Sequence, residues 1–391
     1  MQENKTHLRT FSITYFFMYA AVAALFPFCP LLLQSKGLNN SQIGYLLGSY
    51  ELISIIGLMT IGFIYDKYRS PRFTIILLSS ISLSILYFVS RSESMRPLII
   101  LVLFLGFFIK SPASLLDALY GQTIRNPQES YGKVRLGGSL GFLVTALLIN
   151  FTQWIKGSNP SSIFTGYFIC IILVLGSSFF LPTQYIHTRE KKVQHIGFIK
   201  SLKSFPSIFW IGLTIAFLSS LSLSGHITFF SLLLKNRFFT ENVSGFWAIG
   251  AVFEIPLFFF SGFLFKKFKL RTLWIICLVA GITRMQVYSI TQSLLPLYLV
   301  QVLNSLSFGL NHLSMINLIS RTTSAESRGL AMSLLTAIGM GLSMFTGGFL
   351  GGLILQQSGF PLLFQVFSIF PLIAIVIAII FLKEIPAEKT I

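Results

Sequence analysis

Two pairs of opposite charges interrupt an otherwise apolar chain. In SPASLLDALYG the acid is Asp117, and in YGKVRLGGSLGF the guanidinium is Arg135. Each lies nine residues from Asn126, in a turn signalled by Asn126-Pro127. Farther on, Glu254 and Arg284 each lie fifteen residues from Lys269. If the flanking segments are antiparallel helices rising about 1.5 Å per residue, the members of each pair sit at matched depth, and Glu254 lies about 18 Å from the end of its helix near Lys266. A carboxylate and a guanidinium at one height either lock two helices together or hold a polar solute. In the second case the acid accepts from hydroxyls and the arginine donates to oxygen or neutralises an anion. Equal depth does not choose between these, because side chains at one height can point to different faces.

Other ionisable groups extend the set. Lys110 precedes Asp117 by seven residues, two helical turns on the same face. It suits attraction of an anionic solute or a pair with Glu51. Lys110, Asp117, Arg135, Arg284 and His312 are the expected solute-binding residues. For proton handling the candidates are Glu254, Glu51 and His312, because a carboxylate deprived of water holds its proton more readily. No catalytic residue is expected. Cys29, Cys170 and Cys277 lie in apolar runs without metal-ligand spacing, so no metal is expected, and no cofactor beyond the proton as coupling ion.

The elements that must carry these charges follow from composition. The 391 residues are 54% hydrophobic, 15% aromatic and 10% charged, where a soluble chain carries about 25% charged residues. Mean hydropathy is +0.78. Twelve apolar segments have the length, roughly 20 residues, that crosses a ~30 Å hydrocarbon core. They run approximately over 10–33, 42–65, 73–90, 97–120, 132–155, 162–182, 207–234, 243–265, 272–291, 295–319, 329–356 and 360–382. An even number of spans puts both termini on one side. Of 29 Lys and Arg, 21 fall on the terminal side, 6 on the other, and Lys110 and Arg284 lie within spans. That bias predicts cytoplasmic termini in a multi-pass cell (inner or plasma) membrane protein. It also accounts for the net charge of +17 without nucleic acid, since no basic stripe accompanies a soluble fold. Membrane lipids and a small-molecule solute are the expected partners, and the chain is expected to be a monomer.

The chain repeats itself. GFIYDKYRSPR at Gly62 is echoed by GFLFKKFKLR at Gly262, an offset of 200, and ESYG at Glu129 by ESRG at Glu326, an offset of 197. Two six-span halves in the same orientation form a parallel repeat. The expected organisation is a six-helix bundle over 1–186, a polar cytoplasmic linker over 187–206 and a second six-helix bundle over 207–391.

With this architecture the whole chain resembles the major facilitator superfamily. The loop Gly62, Asp66, Lys67, Arg69, Arg72 follows the family signature after helix 2, without the glycine that usually follows the basic residue. The resemblance implies that Gly62, Asp66, Lys67 and Arg72 form a conformational loop. YGKVRLGGSLGF with Asp117, FCPLLLQSKGLNNSQIGYL, and NSLSFGLNHLSMINLIS are similar to the phenylpropionate-permease and lactose-permease branch. In lactose permease a carboxylate and an arginine eighteen residues apart hold the substrate at positions matching Asp117 and Arg135; the acid there is glutamate, one methylene longer. An acid and an arginine near its cavity match Glu254 and Arg284. Its helix 10 carries acid and histidine for protons, whereas here helix 10 offers only His312.

The resulting expectation is an all-α membrane protein acting as a secondary transporter by alternating access. It would move a small polar or anionic organic solute, an aromatic or other organic acid, a sugar or a nucleoside, in symport with protons. A proton-independent facilitator or a drug or metabolite exporter is the alternative within that class. A membrane sensor or structural protein is the alternative outside it. A structural protein would not keep unpaired charges at mid-bilayer, and no HExxH, Walker loop or CxxC supports an enzyme or a primary pump.

Overall fold

The structure, a computed structural model, describes residues 2–68, 70–124, 127–182, 202, 204–324 and 327–382. Among them every regular element is a helix. The chain runs through α1 (Gln2–Leu25), α2 (Cys29–Ser35), α3 (Asn40–Tyr68), α4 (Pro71–Arg91), α5 (Met95–Ile109), α6 (Ser111–Thr123), α7 (Pro127–Thr152) and α8 (Pro160–Ser178). It continues through α9 (Ser207–Phe238), α10 (Ser244–Lys267), α11 (Leu270–Ile290), α12 (Leu294–Val300), α13 (Asn311–Thr322), α14 (Arg328–Leu334) and α15 (Ser343–Phe381).

Eleven stretches among the described residues are long and apolar enough to cross a membrane. The last, Arg328–Phe381, has 54 residues. At about 1.5 Å per residue it is more than twice a ~30 Å core. It is not uniformly helical, because Gly359 sits at φ 77° and ψ −178°, a conformation open to glycine, with Pro361 just beyond. Apolar surface faces outward along the spans. The most apolar stretch of Ser244–Lys267 is only 17% buried, and Phe259 is 77% exposed. Such helices need an apolar solvent, which makes this a multi-pass membrane protein.

Proline shapes several of the breaks. Pro27 and Pro30 fall where α1 gives way to a short 3-10 turn and then α2. Pro112 follows Lys110, the residue between α5 and α6, and its missing N–H removes one rung of the helical ladder. Pro256, by contrast, lies inside an unbroken α10.

The chain forms two compact units. The first comprises Met1–Asn39, Ser49–Glu190 and Phe239–Ala248; the second comprises Asn40–Gly48, Lys191–Phe238 and Ile249–Ile391. The expected linker over 187–206 lies mostly outside the described residues. In the first unit α1 packs along α7 and α8. Close approach there depends on missing side chains: a Cβ at Gly137 would meet the Ser12 carbonyl, and one at Gly141 the Phe16 carbonyl. The run Gly137 to Gly141 also has the G-x-S-x-G spacing of a hydrolase elbow, but it lies within continuous α7 rather than at a strand-to-helix turn. In the second unit α9 packs on α13 and α15 around Phe209, Leu213, Trp274 and Leu318.

The internal repeat has a structural counterpart. Past α2, Lys36 Nζ donates to the carbonyls of Ser90 and Ser92 at the end of α4, at 2.7 and 2.9 Å. In the last turn of α9, Arg237 donates to the carbonyl of Ser289 at the end of α11, at 3.1 Å. In each unit a cation satisfies otherwise orphaned helix-terminal carbonyls.

Replacing Gly141 by valine is expected to lower the melting temperature of the detergent-solubilised protein, at a cost of about 1–3 kcal/mol or more. Gly176→Ala, where no described atom would meet the added methyl, is expected to leave it unchanged or slightly higher.

Candidate functional site

In the first unit, three helices bring a polar cluster together. α1 presents Tyr15 and Tyr19, one turn apart; α6 presents Asp117; α7 presents Tyr131 and Arg135, again one turn apart. Asp117 Oδ1 accepts from the Tyr15 hydroxyl and, at 2.9 Å, from the Tyr131 hydroxyl. Arg135 Nη2 donates to the Tyr19 hydroxyl. Its guanidinium stands 4.1 Å from the Tyr19 ring centroid and 5.4 Å from that of Tyr15, a cation–π arrangement on two faces. Asp117 and Arg135 therefore share one tyrosine cage without forming a salt bridge. Among the described residues, Asp117 Oδ2 has no protein donor, and the other Arg135 N–H groups have no acceptor. An ionised carboxylate accepts on two oxygens and a guanidinium donates through five N–H groups, so both keep capacity in reserve.

A second feature of this unit is the ion pair between Lys110 Nζ and Glu51 Oε2. The lysine side chain is 38% exposed and the glutamate 18%. The break between α5 and α6 sits at this lysine, seven residues before Asp117.

The second unit treats its charge differently. Arg284 on α11 is 0% exposed. Nη1 donates to Ser307 Oγ at 2.7 Å, and Nη2 to the Tyr288 hydroxyl at 3.1 Å and to Gln301 Oε1 at 3.3 Å. Gln301 Nε2 donates to the same hydroxyl at 3.0 Å. A phenol has two acceptor sites and one proton, so both acceptor sites are filled and the proton goes to His226 Nδ1, 3.1 Å away. His226 is thereby fixed as the neutral ring carrying its proton on Nε2. Ser307 lies in a π-helical turn, Ser305–Leu310. Asn304, just before that turn, donates to Glu254 Oε1 at 2.5 Å. Glu254 and Arg284 are thus not in contact, although they lie within electrostatic range of each other.

His312 is half-buried on α13, and the histidine bonded to Tyr288 is His226. Gly62 lies in α3 with open space beside it. Arg72 opens α4, its guanidinium 5.3 Å from the Phe179 ring. The side chains of Asp66 and Lys67 lie outside the described residues.

Sequence reasoning missed Tyr15, Tyr19, Tyr131, Tyr288 and Gln301. The spacing of Tyr15 and Tyr19, and of Tyr131 and Arg135, was a usable signal: i, i+4 pairs of polar-tipped residues in apolar helices. The π-helical turn that aims Ser307 left no such mark.

The MFS_1 like family profile matches residues 8–366. The chain is 25% identical over 358 residues to the probable 3-phenylpropionic acid transporter of Escherichia coli (strain K12), covering 88% of this chain and 90% of that protein. It is 22% identical over 379 residues to the maltose permease of Geobacillus stearothermophilus, covering 96% and 94%. The crystal structure of the nucleoside transporter NupG superposes with a TM-score of 0.80 at 14% identity, covering 95% of this chain and 98% of that one. That likeness establishes the fold alone.

Removing the Tyr288 hydroxyl leaves His226 without its donor and the Arg284 and Gln301 donors without their acceptor. Tyr288→Phe is expected to destabilise the protein by about 1–3 kcal/mol, read as a lower melting temperature. Tyr45→Phe, at a ring that is 53% exposed, serves as the milder comparison.

Proposed function

We propose, from the premise that the chain belongs to the MFS_1 like family, that its Asp117–Arg135 cage is the solute-binding site of a proton-coupled transporter. The chain is a multi-pass membrane transporter of small organic solutes and not an enzyme. Beyond that, the reading has twelve spans, the stretch Arg328–Phe381 contributing two around Gly359, and six-helix bundles over 1–186 and 207–391. The lysine and arginine bias supports cytoplasmic termini. Transport runs by alternating access, and the chain works as a monomer.

The observation that carries this reading is the reserve capacity in the tyrosine cage. Asp117 Oδ2 and the remaining Arg135 N–H groups are an acceptor and a set of donors without protein partners among the described residues. Leaving such groups unmet in an apolar protein is costly unless water or a solute meets them. A hydroxyl can donate to Asp117 and accept from Arg135, and a carboxylate can replace the Tyr19 oxygen on Arg135. The tyrosine rings offer flat faces for a sugar ring or an aromatic body. Lys110 adds a second cation once it parts from Glu51. Arg284, fully buried, has no face for a solute in this conformation, and with His312 it belongs to the proposed site only after rearrangement. Glu254, Glu51 and His312 are the proposed proton carriers, the two acids each now held by a partner, Asn304 or Lys110, that proton binding would release. Gly62, Asp66, Lys67 and Arg72 are the proposed conformational loop.

The test is uptake into proteoliposomes of 3-phenylpropionate, maltose and uridine, with and without an inside-alkaline pH gradient. At least one solute is expected to accumulate, faster with the gradient. Arg135→Gln is expected to reduce its uptake about 10–100-fold, the loss of one or two charge-assisted hydrogen bonds, in a protein that still folds. Uptake that ignores both Arg135→Gln and Asp117→Asn would refute the assigned site. Uptake that ignores the gradient would leave a facilitator.

A further inference from the structure

Four cations crowd the turn between α10 and α11. Lys266 and Lys267 stand in the last turn of α10, Lys269 in the connection, and Arg271 in the first turn of α11. The three lysines are exposed. Their charge is not balanced locally. The sequence over 255–325 contains no Asp or Glu. The nearest acid on either helix is Glu254, twelve residues before Lys266 and about 18 Å along α10. Lys266, Lys267 and Arg271 form no ion pair among the described residues. Lys267 instead holds its ammonium 5.4 Å from the Phe263 ring centroid and 5.7 Å from that of Phe268. In the first half, the residue 200 positions earlier than Lys266 is Asp66, so that copy of the loop carries an acid where this one carries a cation.

An apolar band adjoins the cations on the same helix. Phe259, Phe260 and Phe263 are each more than half exposed and lie within two helical turns of Lys266. A water-soluble polyanion would meet the cations and leave these rings uncovered. A ligand that suits both is an amphiphile, with an anionic head for the cations and acyl chains for the rings. A zwitterionic head brings a cation of its own, and these two helices offer it no acid nearby. The head group that fits therefore carries a net negative charge.

We infer that Lys266, Lys267, Lys269 and Arg271, with the phenylalanine band of α10, form a binding site for an anionic phospholipid in the second unit, separate from the solute cage of the first.

The probe is phosphatidylglycerol, added at constant ionic strength to the purified full-length protein in micelles of detergent and phosphatidylcholine. It is expected to raise the melting temperature saturably, whereas the same amount of further phosphatidylcholine, or of inorganic phosphate, leaves it unchanged. Lys267→Gln with Lys269→Gln is expected to raise the half-saturating phosphatidylglycerol fraction about 10–30-fold, roughly fivefold for each cation. Arg91→Gln with Arg96→Gln removes the same charge from exposed positions flanking the turn between α4 and α5, and is expected to change it less than about threefold. Equal shifts with the two lipids overturn the proposal. So does a phosphate shift as large as the lipid's, or an equal loss in the two double variants, which would make the effect one of total charge. If the lysine variant does not fold, acetylation of the wild-type protein in nanodiscs decides. Replacing phosphatidylcholine by phosphatidylglycerol is expected to slow modification of Lys266, Lys267 and Lys269 severalfold relative to exposed Lys156, and equal slowing at all four overturns the site. Solute uptake is not the readout, so failure here leaves the proposed transport function standing.

Discussion

A guanidinium removed from water must have its donors met inside the protein, and that requirement organises both halves of this molecule. Among the described residues, neither Arg135 nor Arg284 is paired with a carboxylate in contact. Both rest instead on hydroxyls, Tyr19 in one case and Tyr288 and Ser307 in the other. A hydroxyl is a gentle partner for a charge: it satisfies an N–H without cancelling the field. An arginine held this way stays electrostatically available, whereas one locked to an acid does not.

The two halves use the device differently. Around Arg284 the network is almost closed, with glutamine, tyrosine, serine and histidine each committed, and with the π-helical turn at Ser305–Leu310 bringing Ser307 into reach. Such a turn breaks helical regularity and is common where helices carry function. Around Arg135 the cage is open. Its tyrosines hold the charged groups in position, Tyr131 is 36% exposed, and acceptor and donor capacity remains. A transporter needs some polar groups fixed before the solute arrives and others free to receive it. Preorganisation of the first kind lowers the ordering cost on binding.

Much of this was legible in the residues. Long apolar segments, charge confined to short breaks, and the echo of Gly62 in Gly262 announced repeated membrane-spanning helices, because the bilayer permits few alternatives. Asp117 and Arg135 were visible as charges at matched depth, and the Glu51–Lys110 pair as a lysine in need of a partner. Their partners were not, since tyrosine at Tyr15 or Tyr19 in an apolar helix reads equally as a lipid-facing aromatic until the neighbouring helix is known. The break at Lys110 was signalled by Pro112, but Pro256 sits in an unbroken helix, so proline alone does not decide. Nothing in SLSFGL marks a π-helical turn, which packs against α11.

The central claim is that Asp117 and Arg135 form an open site rather than a closed structural ion pair. The most direct test is a double-mutant cycle in unfolding free energy with Asp117→Asn and Arg135→Gln, taken alone and together. The account predicts a coupling of at most about 0.5–1.5 kcal/mol, as for charges that share Tyr15 without touching, while each single change impairs solute binding. A stabilising coupling of about 3 kcal/mol or more, with solute binding intact in the double mutant, would mean the two charges serve only to hold helices together, and would contradict it.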